Sequence, residues 1–190
     1  MNIGNTNIPR SPFLDMSTNR VSREWLLYLL GLGTSMSYGA FHDETTQTAT
    51  ANTATAVTFS NTDYTNNVYI GSPTSRISFN KAGIYSVAFS IQTENTATAV
   101  DDITLWFKIN GVDVPTSSGI FGTVGKHGAI NGRGLFGWTA FYSFNAGDYL
   151  QMYWATTGGH TSLTTYPIGV APVHPLSPSV AININFFAGL

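Results

Sequence analysis

Residues 84–91 read IYSVAFSI, and their pattern decides the fold. Tyr85, Val87, Phe89 and Ile91 fall on one side of the chain, and a period of two marks a strand with one buried face. The same alternation carries Ile103, Leu105, Phe107 and Ile109; Leu150, Met152 and Trp154; and Val180, Ile182, Ile184 and Phe186. Shorter pairs, Val57/Phe59, Val68/Ile70 and Ile77/Phe79, extend it. Asn110-Gly111 between two alternating runs is a hairpin signal, because both central residues of that turn need positive φ. Lys81-Ala82-Gly83 and Asn145-Ala146-Gly147 are expected to turn the chain similarly. Many short strands with no helical period between them predict an antiparallel sandwich rather than βαβ units.

Two Gly- or Pro-rich segments interrupt the pattern. Residues 115–134 and 156–179 are longer than ordinary connections and are expected as functional or mobile loops on a rigid scaffold. Residues 45–55, TTQTATANTAT, read as a solvated edge strand or linker.

Composition narrows the function classes. A chain of 190 residues accommodates one domain and a short appendage. It has no cysteine, which excludes disulfides and thiolate metal sites and suits synthesis in a reducing cytoplasm. Charged residues are 9% of the chain and the net charge is −2, so there is no basic field with which to bind nucleic acid. Thr, Ser and Asn fill the polar deficit, as suits exposed β-surfaces and turns.

Chemistry-bearing motifs are weak. Gly132-Arg133-Gly134-Leu135-Phe136-Gly137 is a literal G-x-G-x-x-G, but it leads into an aromatic-rich β segment rather than a helix that would hold a pyrophosphate. Gly125-Lys126 lacks the first glycine and the magnesium-binding hydroxyl of a phosphate loop, positions held by Ile120 and His127. His42, His127, His160 and His174 have no zinc-type spacing, and His42-Asp43-Glu44 reads as a solvated turn before it reads as a metal site. No G-x-S-x-G elbow or marked carboxylate pair is present, and Asp101-Asp102 reads as a turn. No catalysis, cofactor or metal is therefore expected. Trp106, Trp138, Trp154 and Tyr166 could stack on sugar rings, although such residues more often fill a core or an oligomer interface.

Four segments together resemble a family. Phe79-Asn80-Lys81-Ala82-Gly83-Ile84-Tyr85, Trp106 to Val114 with its Asn110-Gly111 turn, Phe144-Asn145-Ala146-Gly147-Asp148-Tyr149-Leu150, and the final Phe186-Phe187-Ala188-Gly189-Leu190 are similar, in order and spacing, to the globular heads of the complement and tumour-necrosis-factor superfamily. The resemblance covers residues 38–190. It implies an all-β antiparallel jelly-roll sandwich, assembled as a compact homotrimer with aromatic and aliphatic residues along its axis, and binding rather than chemistry. The long Gly- and Pro-rich insertions and the absence of collagen repeats depart from the animal members.

The N-terminal segment carries a second resemblance. Ser11-Pro12-Phe13-Leu14-Asp15, then Arg20-Val21-Ser22-Arg23-Glu24-Trp25 and a leucine run, is similar over residues 8–32 to the opening of many tailed-phage virion proteins, where it precedes fibre or head-surface domains. The run WLLYLLGLG has Glu24 directly against it, unlike a signal peptide, and is far shorter than the roughly 20 apolar residues of a membrane span. Read physically, it is a helix capped by Ser17, Thr18 or Asn19, supported by an Arg20/Glu24 pair, and ended by Gly31 and Gly33. Val21, Trp25, Leu29 and Leu32, flanked by Leu26 and Leu30, make an apolar stripe that must bury against a partner or its own sandwich. Pro9 and Pro12 are expected to hold the preceding arm extended.

These readings predict residues 1–37 as a particle anchor and 38–190 as the jelly roll. The expected anchoring residues are Pro12, Phe13, Leu14, Val21, Trp25, Leu26 and Leu29, and the expected partners are further copies of the chain and a capsid, portal or tail-adaptor protein. The expected role is a non-enzymatic tail fibre or capsid decoration protein, in the virion after synthesis in the host cytoplasm. The alternative is a module for a host-surface glycan or receptor, with candidate ligand-binding residues Lys126, His127, Arg133, His160 and Tyr166 in the long loops. Neither nucleic acid nor membrane is an expected partner.

Overall fold

The computed structural model describes residues 8–34 and 36–190. They form an antiparallel jelly-roll sandwich with a short N-terminal helix. One sheet contains β3 (Tyr38–Asp43), β4 (Gln47–Thr48), β6 (Asn61–Asn66), β9 (Gly83–Asn95), β13 (Gly132–Phe136), β14 (Thr139–Phe144), β16 (Thr161–Leu163) and β19 (Val180–Ala188), in the order β4-β16-β9-β19-β3-β6 with β13 and β14 also on β9. The other contains β5 (Thr55–Ala56), β7 (Val68–Ile70), β8 (Ile77–Phe79), β10 (Asp101–Ile109), β11 (Val112–Asp113), β12 (Gly119–Thr123) and β15 (Tyr149–Thr156), in the order β11-β10-β15-β8-β7 with β12 on β10 and β5 on β15. A small hairpin, β1 (Leu14–Asp15) and β2 (Arg20–Val21), leads into α1 (Arg23–Thr34), and a second, β17 (Gly169–Val170) and β18 (Val173–His174), stands near the C-terminal end.

The IYSVAFSI alternation is the middle of β9, where Tyr85, Val87, Phe89 and Ile91 are buried and the residues between them are half-buried. At 13 residues β9 is long enough to be flanked by β14 and β13 on one side and by β19 and β16 on the other. Its inward face meets Ile103, Leu105 and Phe107 of β10 and Leu150, Met152 and Trp154 of β15 in one continuous core. Burying a large apolar side chain contributes about 1.5–3 kcal/mol, so this interdigitated layer supplies most of the drive to fold.

The motif residues 79–85 have a packing reason. Phe79 stacks on Phe144 (ring centroids 3.8 Å apart) and meets the edge of Tyr85 (4.9 Å), whose hydroxyl donates to the Lys81 carbonyl (2.8 Å). A Cβ at Gly83 would stand 2.4 Å from the Phe186 ring, so only glycine fits there. The Gly147-Asp148 step pins the same corner: Gly147 N–H donates to the Phe79 carbonyl (2.7 Å) and Phe79 N–H to that of Asp148 (3.0 Å).

Several expectations are corrected. The Asn110-Gly111 hairpin stands, with φ of 53° and 81°, but Lys81–Gly83 and Asn145–Gly147 carry the chain from one sheet to the other. Crossing between layers is what closes a jelly roll, and sequence alone does not separate that corner from a hairpin turn. The 115–134 segment contains β12 and the start of β13, and 156–179 contains β16, β17 and β18; backbone pairing gave them strand geometry without regular alternation. Val57 and Phe59 are core residues outside any strand. Their N–H groups bond across to Met152 and Thr74 carbonyls without a regular ladder.

At the N-terminus, residues 17–19 are the turn of the β1–β2 hairpin rather than a helix cap. Asp15 accepts from Ser17 N–H (2.8 Å) and hydroxyl (2.6 Å), and Asn19 adopts a φ of 51°. Ser22 stands at the cap position, and its carbonyl accepts the Leu26 N–H (2.9 Å). Arg20 therefore lies outside the helix, and it makes no ion pair with Glu24 among the described residues. The helix continues through Gly31 and Gly33 to Thr34, and the arm expected to be extended folds back as this hairpin. No helix of the described residues is long and apolar enough to cross a membrane.

Candidate functional site

Three features stand outside the core. The first is the outward face of the sheet built on β9. Its register aligns Tyr64, Ala40, Asn183, Ala88 and Thr139 in one row across five strands. A second row runs Tyr38, Asn185, Ser86 and Phe141. Small side chains make a low floor, and aromatic rings stand at its edges: Tyr64 is 72% exposed, Phe187 68% and Phe141 56%. Leu135 extends the apolar edge along β13.

The second feature is a cavity of about 470 Å³ beneath the β17–β18 hairpin, lined by residues that include Gln92, Arg133, Tyr166, Ile168, His174 and Ser177. The β9–β13 register sets Arg133 opposite Glu94, and the isolated bridge Tyr166↔Ser177 closes the base of the hairpin. Glu94 organises the wall: Oε1 accepts from Asn131 (2.9 Å), Oε2 accepts from the Tyr166 hydroxyl (3.0 Å), and Arg133 Nε lies 3.8 Å away. The Arg133 guanidinium lies 4.6 Å over the Tyr166 ring. Burial, the hydrogen bond to Glu94 and that carboxylate's charge push the Tyr166 hydroxyl up to about 12, against a smaller opposing effect of Arg133.

Of the five loop residues expected to bind a ligand, the structure brings Arg133 and Tyr166 together at this cavity. Lys126, His127 and His160 lie elsewhere. Lys126 N–H bonds the Ala97 carbonyl (2.7 Å), the His160 carbonyl accepts the Thr96 N–H (3.1 Å), and His127 pairs with Ile130. Gln92, Glu94, His174 and Ser177 were missed because strand pairing, not sequence proximity, assembles them. Among the tryptophans, Trp154 is core, Trp138 packs on Phe89 (4.5 Å), and Trp106 lies beside Tyr153 with Nε1 donating to Asp113 (2.8 Å).

The G-x-G-x-x-G run lies in and just after β13. A Cβ would stand 1.7 Å from the Val124 carbonyl oxygen at Gly132 and 2.0 Å from that of Phe89 at Gly137, so these glycines serve backbone approach. His42 is bracketed by Asp63 (3.0 Å) and Glu44 (3.3 Å), whereas Asp43 is buried and bonds Thr45. Among the described residues, no cluster of three or more imidazole, thiol or carboxylate ligands is placed to hold a metal ion. Asp101 is not a simple turn residue either. It accepts hydrogen bonds from Thr156, Thr157, Gly158, His160 and Thr161, which hold the 156–161 turn.

The third feature is the N-terminal hairpin and helix. Trp25 meets Phe13 edge-on (5.5 Å) and donates Nε1 to the Ser11 carbonyl (2.8 Å). Val21 and Trp25 are half-buried, and Pro12, Phe13, Leu14, Leu26 and Leu29 are exposed, as are Leu27 and Met16, which the sequence reading did not single out. Residues 1–7 of the expected arm, and the side chains of Leu30 and Leu32 from the expected stripe, lie outside the described residues.

No protein-family model and no curated protein matches the chain. Among solved structures it is similar to Eiger TNF from S. frugiperda, with a TM-score of 0.55 and 13% identity over 82% of this chain and 94% of that one. At that identity the likeness is one of fold, and the fold is the jelly roll of tumour-necrosis-factor-like proteins.

Proposed function

We propose that the chain is a bacteriophage structural virion protein: a homotrimeric jelly roll displayed on the particle as a tail fibre or capsid decoration protein. In this reading residues 1–37 attach it to a capsid, portal or tail-adaptor protein, and residues 38–190 are the displayed domain. The carrying observation is the outward face of the β9 sheet. A floor of Ala40, Ala88 and Ser86 beside exposed Tyr64, Phe141 and Phe187 suits a head-to-tail contact in which the rim of one copy covers the floor of the next, the heterologous arrangement that closes a ring. The tumour-necrosis-factor-like fold supports the same assembly. The virion role is supported by the likeness of residues 8–32 to phage openings and by the exposed Phe13, Leu14, Leu26, Leu27 and Leu29 on the hairpin and helix.

The role is assembly and display without chemistry. Asp101, the buried carboxylate best placed to be perturbed, has its oxygens engaged in holding a turn. The test is mass measurement in solution together with a truncation lacking residues 1–33. A trimeric full chain, and a truncated chain that still trimerises but no longer joins particles, is the expected result. A stable monomer at micromolar concentration overturns the assembly, and a truncated chain that still joins particles overturns the anchor. The alternative, a module for a host-surface glycan or receptor, is favoured by one observation, the cavity beneath the β17–β18 hairpin.

A further inference from the structure

Most polar clusters on this molecule are internally saturated. Asp101 is filled by five donors, both ring nitrogens of His42 face carboxylates, and the rings of Tyr149 and Tyr153 are capped by Arg76 (4.2 Å) and Lys108 (4.8 Å). The cavity beneath the β17–β18 hairpin differs. Glu94 spends its acceptors on Asn131 and Tyr166, and at 3.8 Å Arg133 Nε is too far for a hydrogen bond. The Arg133 side chain interacts with the Tyr166 hydroxyl as well as its ring, but at 63% exposure its outer edge stays open to the cavity. The Gln92 amide and the Ser177 hydroxyl, on half-buried residues, have no hydrogen-bond partner among the described residues. His174 donates Nδ1–H to the Pro175 carbonyl (2.7 Å), which leaves Nε2 as the ring's remaining hydrogen-bonding atom. Ile168 and Val170 supply apolar wall beside these groups.

We propose that this cavity binds a saccharide bearing a carboxylate, a sialic- or uronic-acid-type sugar, with Arg133 pairing the carboxylate. The proposal rests on the host-glycan reading and gives it a place and a ligand class. A planar guanidinium held over Tyr166 is preorganised for two parallel hydrogen bonds to a carboxylate. Neutral donors and acceptors at Gln92, His174 and Ser177 suit ring hydroxyls, and Ile168 with Val170 suits the C–H face of a sugar. A volume of about 470 Å³ is within the range for a small ligand. An acidic peptide is the less favoured occupant, because the polar groups converge beneath one hairpin around a single guanidinium, Arg133, rather than forming a row of cations along a strand edge. Glu94 and Tyr166 act as positioning residues for Arg133.

The test is titration of the full chain by calorimetry and saturation-transfer NMR with sialyllactose, a glucuronate-terminated trisaccharide, neutral lactose and a hexapeptide of Asp and Glu. At least one acidic sugar is expected to bind and lactose not to. Arg133→Ala and Arg133→Lys should each weaken binding about ten- to a hundredfold, since a hydrogen bond to a charged group is lost or misdirected. Gln92→Ala should weaken it less, and Lys126→Ala, on a separate loop, should leave it unchanged. The melting temperatures of all four variants should match the parent, which separates lost binding from lost fold. Acidic-sugar binding that survives Arg133→Ala, or binding of lactose alone, overturns this site and leaves the host-glycan reading standing. Binding of the acidic peptide alone, or of none of the probes, overturns the site and the glycan reading together.

Discussion

Phe141 and Phe187 meet edge to face with ring centroids 5.1 Å apart, although they come from β14 and β19, which lie on either side of β9. Phe141 is paired with Ser86 of β9, and Phe187 falls in the β-bulge of β19 between Phe186 and Ala188. In the proposed trimer these two touching aromatics, each more than half exposed, are the centre of the contact with the next copy. Phe141→Asp is expected to raise the dissociation constant of the trimer by about 30-fold or more, the effect of losing a buried aromatic anchor. Sedimentation should show monomer while circular dichroism stays unchanged. A variant that remains trimeric places the interface elsewhere.

Asp101 is expected to make the fold's stability sensitive to acid. Burial would raise its carboxyl, but hydrogen bonds from Thr156, Gly158, Thr161 and Thr157 outweigh that and hold it at about 2, below its ordinary 3.8. A group whose folded value is depressed contributes stability above the unfolded value and loses it as pH falls through the folded one. The contribution is about 2 kcal/mol at neutral pH and fades between about pH 4 and pH 2. Urea midpoints measured across that window should fall steeply for the parent. Asp101→Asn should start lower by about 2–3 kcal/mol and show a flatter acid limb.

The layered fold was legible because Tyr85, Val87, Phe89 and Ile91 are large and inward while Ser86, Ala88 and Ser90 are small. The exposed aromatic face was not, and β14 shows why. In Thr139–Phe144 both faces carry aromatics, so alternation alone cannot tell that Tyr142 and Phe144 turn inward and Phe141 outward. The cavity is less legible still. Gln92, Arg133 and the Tyr166–His174 segment come from three separate stretches, united by the β9–β13 register and by the Tyr166↔Ser177 bridge at the base of the hairpin. Arg133 and Tyr166 were reachable as polar residues in Gly- and Pro-rich segments, but the same criterion also selected Lys126 and His160.

The Asn110-Gly111 turn should be costly to alter for two distinct reasons. Gly111 adopts a φ of 81°, so Gly111→Ala carries a backbone penalty of about 1 kcal/mol. Asn110 also works through its side chain, donating to Asp148 (2.7 Å) and accepting the Tyr149 N–H (3.0 Å). Asn110→Gly keeps the backbone freedom and loses those two bonds, and should cost about 1–2 kcal/mol. Denaturant unfolding of the two variants separates the contributions; an Asn110→Gly protein as stable as the parent would show that the side-chain bonds add nothing.

Trp154 is fully buried in β15, opposite Leu105 and Thr55, and its indole N–H has no hydrogen-bond partner among the described residues. An unpaired buried donor carries a desolvation penalty of about 1–3 kcal/mol, which removing it relieves. Trp154→Phe keeps most of the aromatic packing and deletes that donor, so the void it leaves and the penalty it removes nearly offset, for a net loss under about 1 kcal/mol. Trp154→Ala deletes the packing as well and should cost about 3–5 kcal/mol. Urea titration of both variants is the check. A phenylalanine variant as damaged as the alanine one would mean that the ring's full volume, and not its unpaired donor, dominates at this position.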